Sequence, residues 1–228
     1  MKKLLFLCIL MPVLLLAACN KQDSVTYSGI EAGTLASGIF TSDNGTKMTV
    51  VGNEGKFDVT TSRRVLISYE THPVTDMDHI DIDLLGLLEA GILPADRVSA
   101  VSGDPDGSPL QVSDAWFSAD YLNLLIAFEG EDPAKHTFTA DYAADDKGIV
   151  FRLHHDATQD PSTSKALSVF LSIPVYEPVL VYEQSALAVG IKAPYPAPVT
   201  LEWTSRTLDS GPLSVYERQG SYTPPAAN

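Results

Sequence analysis

Tyr121-Leu122-Asn123-Leu124-Leu125-Ile126-Ala127-Phe128 decides the fold class, because Leu122, Leu124, Ile126 and Phe128 recur at every second position and so share one face of a β-strand. The same period continues downstream in Phe138, Ala140 and Tyr142, in Ile149, Phe151 and Leu153, in Val169, Leu171 and Ile173, and in Val199, Leu201 and Trp203. Strands are therefore expected near 121–128, 136–142, 149–156, 167–175, 187–192 and 199–204. Six strands at this spacing predict an antiparallel β-sandwich over 113–210, with 211–228 as an edge element and tail.

Upstream, Gly103-Asp104-Pro105-Asp106-Gly107 and Pro109 concentrate turn formers between two patterned regions and mark a domain boundary. The region before it, 33–102, is β as well. Leu35, Ser37 and Ile39 alternate up to Asp43-Asn44-Gly45, whose Asn-Gly pair suits a tight turn, and Met48 and Val50 follow, which predicts a hairpin. Val65, Ile67 and Tyr69 predict a strand over 64–70. Residues 79–90 read two ways: Ile80, Ile82 and Leu84 alternate, whereas Leu84, Leu85, Leu87 and Leu88 are spaced as on a helix. Strand is favoured, since Gly86, Gly91 and Pro94 break a helix.

The N-terminus fixes location. Lys2 and Lys3, an apolar run from Leu4 to Leu16, then Leu16-Ala17-Ala18-Cys19 form the charged, apolar and small-residue parts of a lipoprotein signal over 1–18. The run is short of the ~20 residues that span a bilayer, and Pro12 interrupts it. Cleavage makes Cys19 the lipidated first residue, the lipidation site, with 19–32 a polar tether at an outer membrane, on its periplasmic or surface face.

Cleavage removes two lysines and no acid, leaving 13 Lys and Arg against 29 Asp and Glu, a formal charge of −16. Nucleic acid is excluded as a partner on this field, because the longest basic run is Arg63-Arg64. Cys8 leaves with the signal and Cys19 is spent on lipid, so no thiol is left for a disulfide, a nucleophile or a zinc site.

Certain of these residues carry a family resemblance: the 33–49 hairpin, the 64–70 strand, Trp116, Tyr121-Leu122-Asn123-Leu124, His136 and Leu153-His154-His155-Asp156-Ala157. Together with the signal they resemble the NigD-like lipoproteins of Gram-negative bacteria, with His154 standing where that pattern has arginine. The resemblance implies a small OB-like β-barrel followed by a β-sandwich. It implies no enzymatic activity; the family's association with a bacteriocin operon implies an immunity or accessory role by analogy.

Candidate chemistry is sparse. Asp76, Asp78, His79, Asp81 and Asp83 crowd eight residues, but Ile80 occupies a ligand position of a calcium loop and the loop glycine and distal glutamate are missing. A wet loop leading into a strand accounts for them, and no metal or cofactor is expected. His154 and His155 are adjacent in a strand, point to opposite faces and do not chelate together; His155 continues the inward face of Phe151 and Leu153. No serine sits in a Gly-x-Ser-x-Gly elbow, so no catalytic residue is named and a hydrolase ranks last. Tyr69 and Phe57 are the aromatics for a glycan on a barrel face. The expected function is binding of another envelope protein, a secreted peptide or a glycan by a lipid-anchored, non-enzymatic protein.

Overall fold

The alternating segments form strands in a computed structural model, which describes residues 26–73, 79–100, 107–161, 164–206 and 213–224. The signal with Cys19, and Asp76, Met77 and Asp78, lie outside the described residues.

The first half is a closed barrel of β1 (Ser28–Ala36), β2 (Ile39–Ser42), β3 (Lys47–Asn53), β4 (Arg63–Thr71) and β5 (Ile80–Ile92). β1 pairs with β2 and β4, β2 with β3, β4 with β5, and a parallel β3–β5 ladder closes the ring. This connectivity is that of an OB-fold. Leu35, Phe40, Met48, Val65, Ile67, Tyr69, Ile80, Ile82 and Leu84 fill it.

Two expectations need correction here, and the ambiguity over 79–90 resolves to the strand that was favoured. The tether ends before Ser28, because Ser28–Leu35 pair with Arg63–Glu70. The inward positions of β1 include Gly29 and Gly33, so no apolar alternation advertised the strand. A Cβ at Gly33 would lie 2.3 Å from the Thr41 carbonyl oxygen, which leaves room only for glycine. The single hairpin is in fact two, since Ser37 and Gly38 take positive φ (52° and 78°) and turn the chain before β2. The helix-like leucine spacing in β5 is a β-bulge: the register slips between Ser68 and Tyr69, so Leu84 faces the barrel core, Leu85 is exposed, and Leu87 returns to the core side.

β5 runs on past the barrel and pairs in parallel with β11 (Lys165–Pro174), so one eight-stranded sheet crosses both halves in the order β3-β2-β1-β4-β5-β11-β8-β7. Its far end uses β7 (Gln111–Ser118) and β8 (Tyr121–Gly130). The facing sheet orders β13-β12-β10-β9-β6, from β6 (Ala95–Arg97), β9 (Thr137–Asp145), β10 (Gly148–Asp156), β12 (Ala197–Arg206) and β13 (Leu213–Tyr222). Between them lie the side chains read as inward, including Leu124, Ile126, Tyr142, Phe151 and Ile173. The sandwich core also takes in Leu93 and Ala95, so the two cores part within β5 rather than at 102–113.

The sandwich is mixed rather than purely antiparallel. β10–β12 and β6–β9 pair in parallel, because the chain leaves β10 for β11 in the other sheet and returns to β12 through a helix. That helix, α1 (Tyr176–Ala188), replaces the strand expected at 187–192. Pro178 falls in the first turn, where an absent N–H loses no helical bond, and Pro178, Val181, Tyr182 and Ala186 form the buried stripe. No helix among the described residues is long and apolar enough to cross a membrane.

Candidate functional site

Three places concentrate chemistry. The first grows from His155, whose ring is turned inward from β10 as its alternation requires. It stacks on Phe138 (centroids 4.8 Å, 6° between planes) and lies against Phe128. His155 Nε2 is 2.8 Å from His136 Nδ1, and His136 Nε2 is 3.3 Å from Asp160 Oδ2. The other end, His155 Nδ1, is 3.3 Å from the Pro109 carbonyl oxygen. The His136 side chain is fully buried, and Asp160 also accepts the backbone N–H groups of Glu131 and Asp132 at 2.7 and 2.8 Å.

A carbonyl and a carboxylate only accept, so both outer nitrogens of this chain must carry hydrogen and the link between the rings needs a third. Two neutral imidazoles supply two. The links therefore compete for hydrogen, and the donor at each is set by the tautomer that each ring adopts. The pKa of His155 is pushed below its ordinary value of 6.5, first by burial and then by repulsion from His136. Both His155 nitrogens are engaged, so the ring offers no free base to the shallow pocket of about 270 Å³ beside it, lined by Gly107, Thr137, Thr139, His154 and Asp156. His154 points to the opposite face, where its Nε2 lies 3.0 Å from Asp141 Oδ2. Sequence reading placed His154 and His155 on opposite faces; the partners of His155 lie 19 and 46 residues away, beyond any local signal.

The second place joins the two halves. Arg64 of β4 makes a two-pronged contact with Asp43 (2.8 and 2.7 Å) and reaches Ser172 Oγ on β11 (2.9 Å) and Asn123 Oδ1 on β8 (2.8 Å). Its guanidinium lies 4.1 Å from the centroid of the Tyr121 ring. Ser118 hydroxyl donates to Asp43 and accepts from Asn123 Nδ2, closing the network. The Tyr121-Leu122-Asn123-Leu124 motif thus alternates two core leucines with two groups that hold Arg64. Asn123 and Ser172 are fully buried and satisfied, which marks a structural joint.

The remaining acidic candidates stay apart. Asp81 pairs with His79 (3.2 Å) and Asp83 with His72 (3.0 Å), both at the barrel surface. Tyr69 is a core residue whose hydroxyl donates to Glu31 Oε1 at 2.6 Å, and Phe57 packs on the same core. The only ring carried by β1, β2 or β3 is that of Phe40, which is fully buried, so the outer face of these strands has no stacking platform.

The third place is a cleft of about 330 Å³ between β7 and β13, the end strands of the two sheets. Ala115, Phe117 and Leu122 form one wall and Val199 and Leu201 the other. Its mouth is open because β13 turns Arg218 and Gly220 toward Leu201 and Val199, where a filled sandwich would carry apolar side chains. A Cβ added at Gly220 would meet nothing within 4 Å. Arg218 reaches across to Asp114 (3.4 Å), and Phe117 packs edge-on against Tyr222 (5.3 Å) at one end. β7 was not predicted, and β13 was expected only as an edge element within 211–228. The bulge between Val112 and Asp114 breaks the β7 alternation, and β13 lacks apolar inward residues at Arg218 and Gly220.

Comparison with solved structures finds this fold elsewhere. A NigD-like immunity protein from Bacteroides caccae superposes with a TM-score of 0.57 at 18% identity, over 87% of this chain and 97% of that one. A protein of unknown function from Bacteroides vulgatus, of the group DUF1344, gives 0.57 at 15% identity over 86% and 92%. A lipoprotein candidate from Bacteroides fragilis gives 0.54 at 15% over 85% and 97%. No protein-family model and no curated protein matches the chain. At these identities the likeness is one of fold, and it agrees with the barrel-and-sandwich architecture that the motif resemblance implied.

Proposed function

We propose that this chain is a lipid-anchored cell-envelope protein that works by binding, with the cleft between β7 and β13 as its working surface. One observation carries the reading: the buried polar clusters are closed on themselves, whereas the apolar walls of the cleft stand open between two sheet edges. The Leu16-Ala17-Ala18-Cys19 ending and the fold shared with a lipoprotein candidate support anchoring through Cys19, at an outer membrane. A glycan on the barrel is disfavoured by the absence of rings on the outer face of β1 to β3. A hydrolase is disfavoured because His155, which walls the pocket, has both nitrogens occupied. A second reading, immunity to a secreted peptide, is favoured by the fold shared with an immunity protein and makes that peptide the occupant of the cleft.

A photo-cross-linking side chain at Gly220, set against the same group at exposed Ile39 on the barrel, tests the reading in the parent envelope. A discrete adduct from Gly220 and none from Ile39 is expected. Equal labelling from both sites, or none from either, contradicts it.

A further inference from the structure

Two features of β13 specify what the cleft takes, an inference that rests on the binding reading above. First, β13 is a ten-residue strand whose ladder to β12 is unbroken from Ala197↔Tyr222 to Arg206↔Leu213, and it ends its sheet. Its outer edge therefore presents main-chain donors and acceptors to an added strand. The opposing edge, β7, is blunted by its bulge. Second, a row of charges crosses the outer face of this sheet at one register. Asp96 lies beside Asp141, Asp141 beside Arg152, Arg152 beside Glu202, and Glu202 beside Glu217.

Arg152 is committed to Glu202, with Nε 3.0 Å from Oε2. Glu217 then stands at the open edge, exposed, directly opposite a carboxylate and without a cationic partner among the described residues. Like charges directly opposite across a ladder repel, and a cation in the next strand would relieve both.

We infer that the cleft binds an extended peptide segment that adds to β13 as a further strand, with Lys or Arg opposite Glu217 and apolar residues on either side of it. Strand alternation sends the basic side chain to the outer face, beside Glu217, and its two neighbours to the inner face, opposite Tyr216 and Arg218 and level with Trp203 and Leu201. The chain's net charge of −14 attracts such a peptide from a distance. A second copy of this chain is the competing occupant; paired β13 to β13 in the register centred on Glu217, it brings two Glu217 side chains together.

Binding of an eight-residue peptide alternating Val and Lys, and of its Val-Glu counterpart, is measured by intrinsic fluorescence. Both tryptophans serve as reporters, since Trp116 lines the cleft and Trp203 stacks on Tyr216 of β13 (6.2 Å). The wild-type protein is expected to prefer Val-Lys at least tenfold. Glu217→Lys, at an exposed position, is expected to reverse that preference while changing the net charge by only two. Hydrogen exchange is expected to slow along 213–222 on binding. No binding by wild type, a preference unchanged in Glu217→Lys, or a β13-paired dimer of the free protein would each overturn the proposal. A cross-link from Gly220 to an envelope protein alongside any of these results would leave the binding reading standing and reject only the peptide.

Discussion

His155 shows how much one buried ring controls. Its folded-state pKa lies below 6.5, so between that lowered value and 6.5 the unfolded chain binds more proton than the folded one. The stability contributed by the neutral ring is complete above about pH 6.5 and drains as pH falls through the lowered value. Melting temperature is expected to drop between pH 7 and 5. His155→Phe keeps the stacking with Phe138 and Phe128 but removes the ring nitrogen that faces His136, so this variant is expected to melt lower at pH 7 and with a flatter pH dependence. An equally steep profile would remove His155 as the cause. The inward direction of this side chain was legible from the alternation of Ile149, Phe151 and Leu153. Its partners were not, because Pro109, His136 and Asp160 meet it only through long-range folding.

Strands were legible where the inward residues are apolar and the register is unbroken, as in β4, β8 and β10. They were obscured where function or geometry breaks the pattern: glycines inside β1, a bulge in β5 that imitates helical spacing, a bulge in β7, and Arg218 with Gly220 in β13. The last two are the elements that bound the cleft, so the least legible strands are those of the candidate site. The joint between barrel and sandwich depends on charge within a nearly dry setting, with the Arg64 and Asp43 side chains 8% and 10% exposed. Removing one partner leaves the other buried without compensation, a loss of about 3–5 kcal/mol for pairs of this kind. Arg64→Leu is therefore expected to destabilise the protein by that order in chemical denaturation. Lys at this position retains the charge but not the simultaneous contacts to Asp43, Ser172 and Asn123, and is expected to rescue only in part. Full stability in Arg64→Leu would show that the halves are held by the continuous β5–β11 sheet alone.

At the scale of the whole molecule, an OB-fold barrel and a mixed β-sandwich share one sheet through β5, which joins the two cores by a continuous strand rather than by a linker. The barrel contributes Asp43 and Arg64 to the joint, and the sandwich contributes the open cleft. The proposed anchor is legible as sequence, in the apolar run and Leu16-Ala17-Ala18-Cys19, and a lipid there would hold the fold beside an envelope partner at high local concentration. The central claim is that a lipid on Cys19 holds this binding fold at a membrane. Fractionation of cells expressing wild type or Cys19→Ser tests it most directly. Wild type is expected to sediment with membranes and Cys19→Ser to be released from them; a Cys19→Ser protein that sediments unlipidated, in the same proportion as wild type, would contradict it.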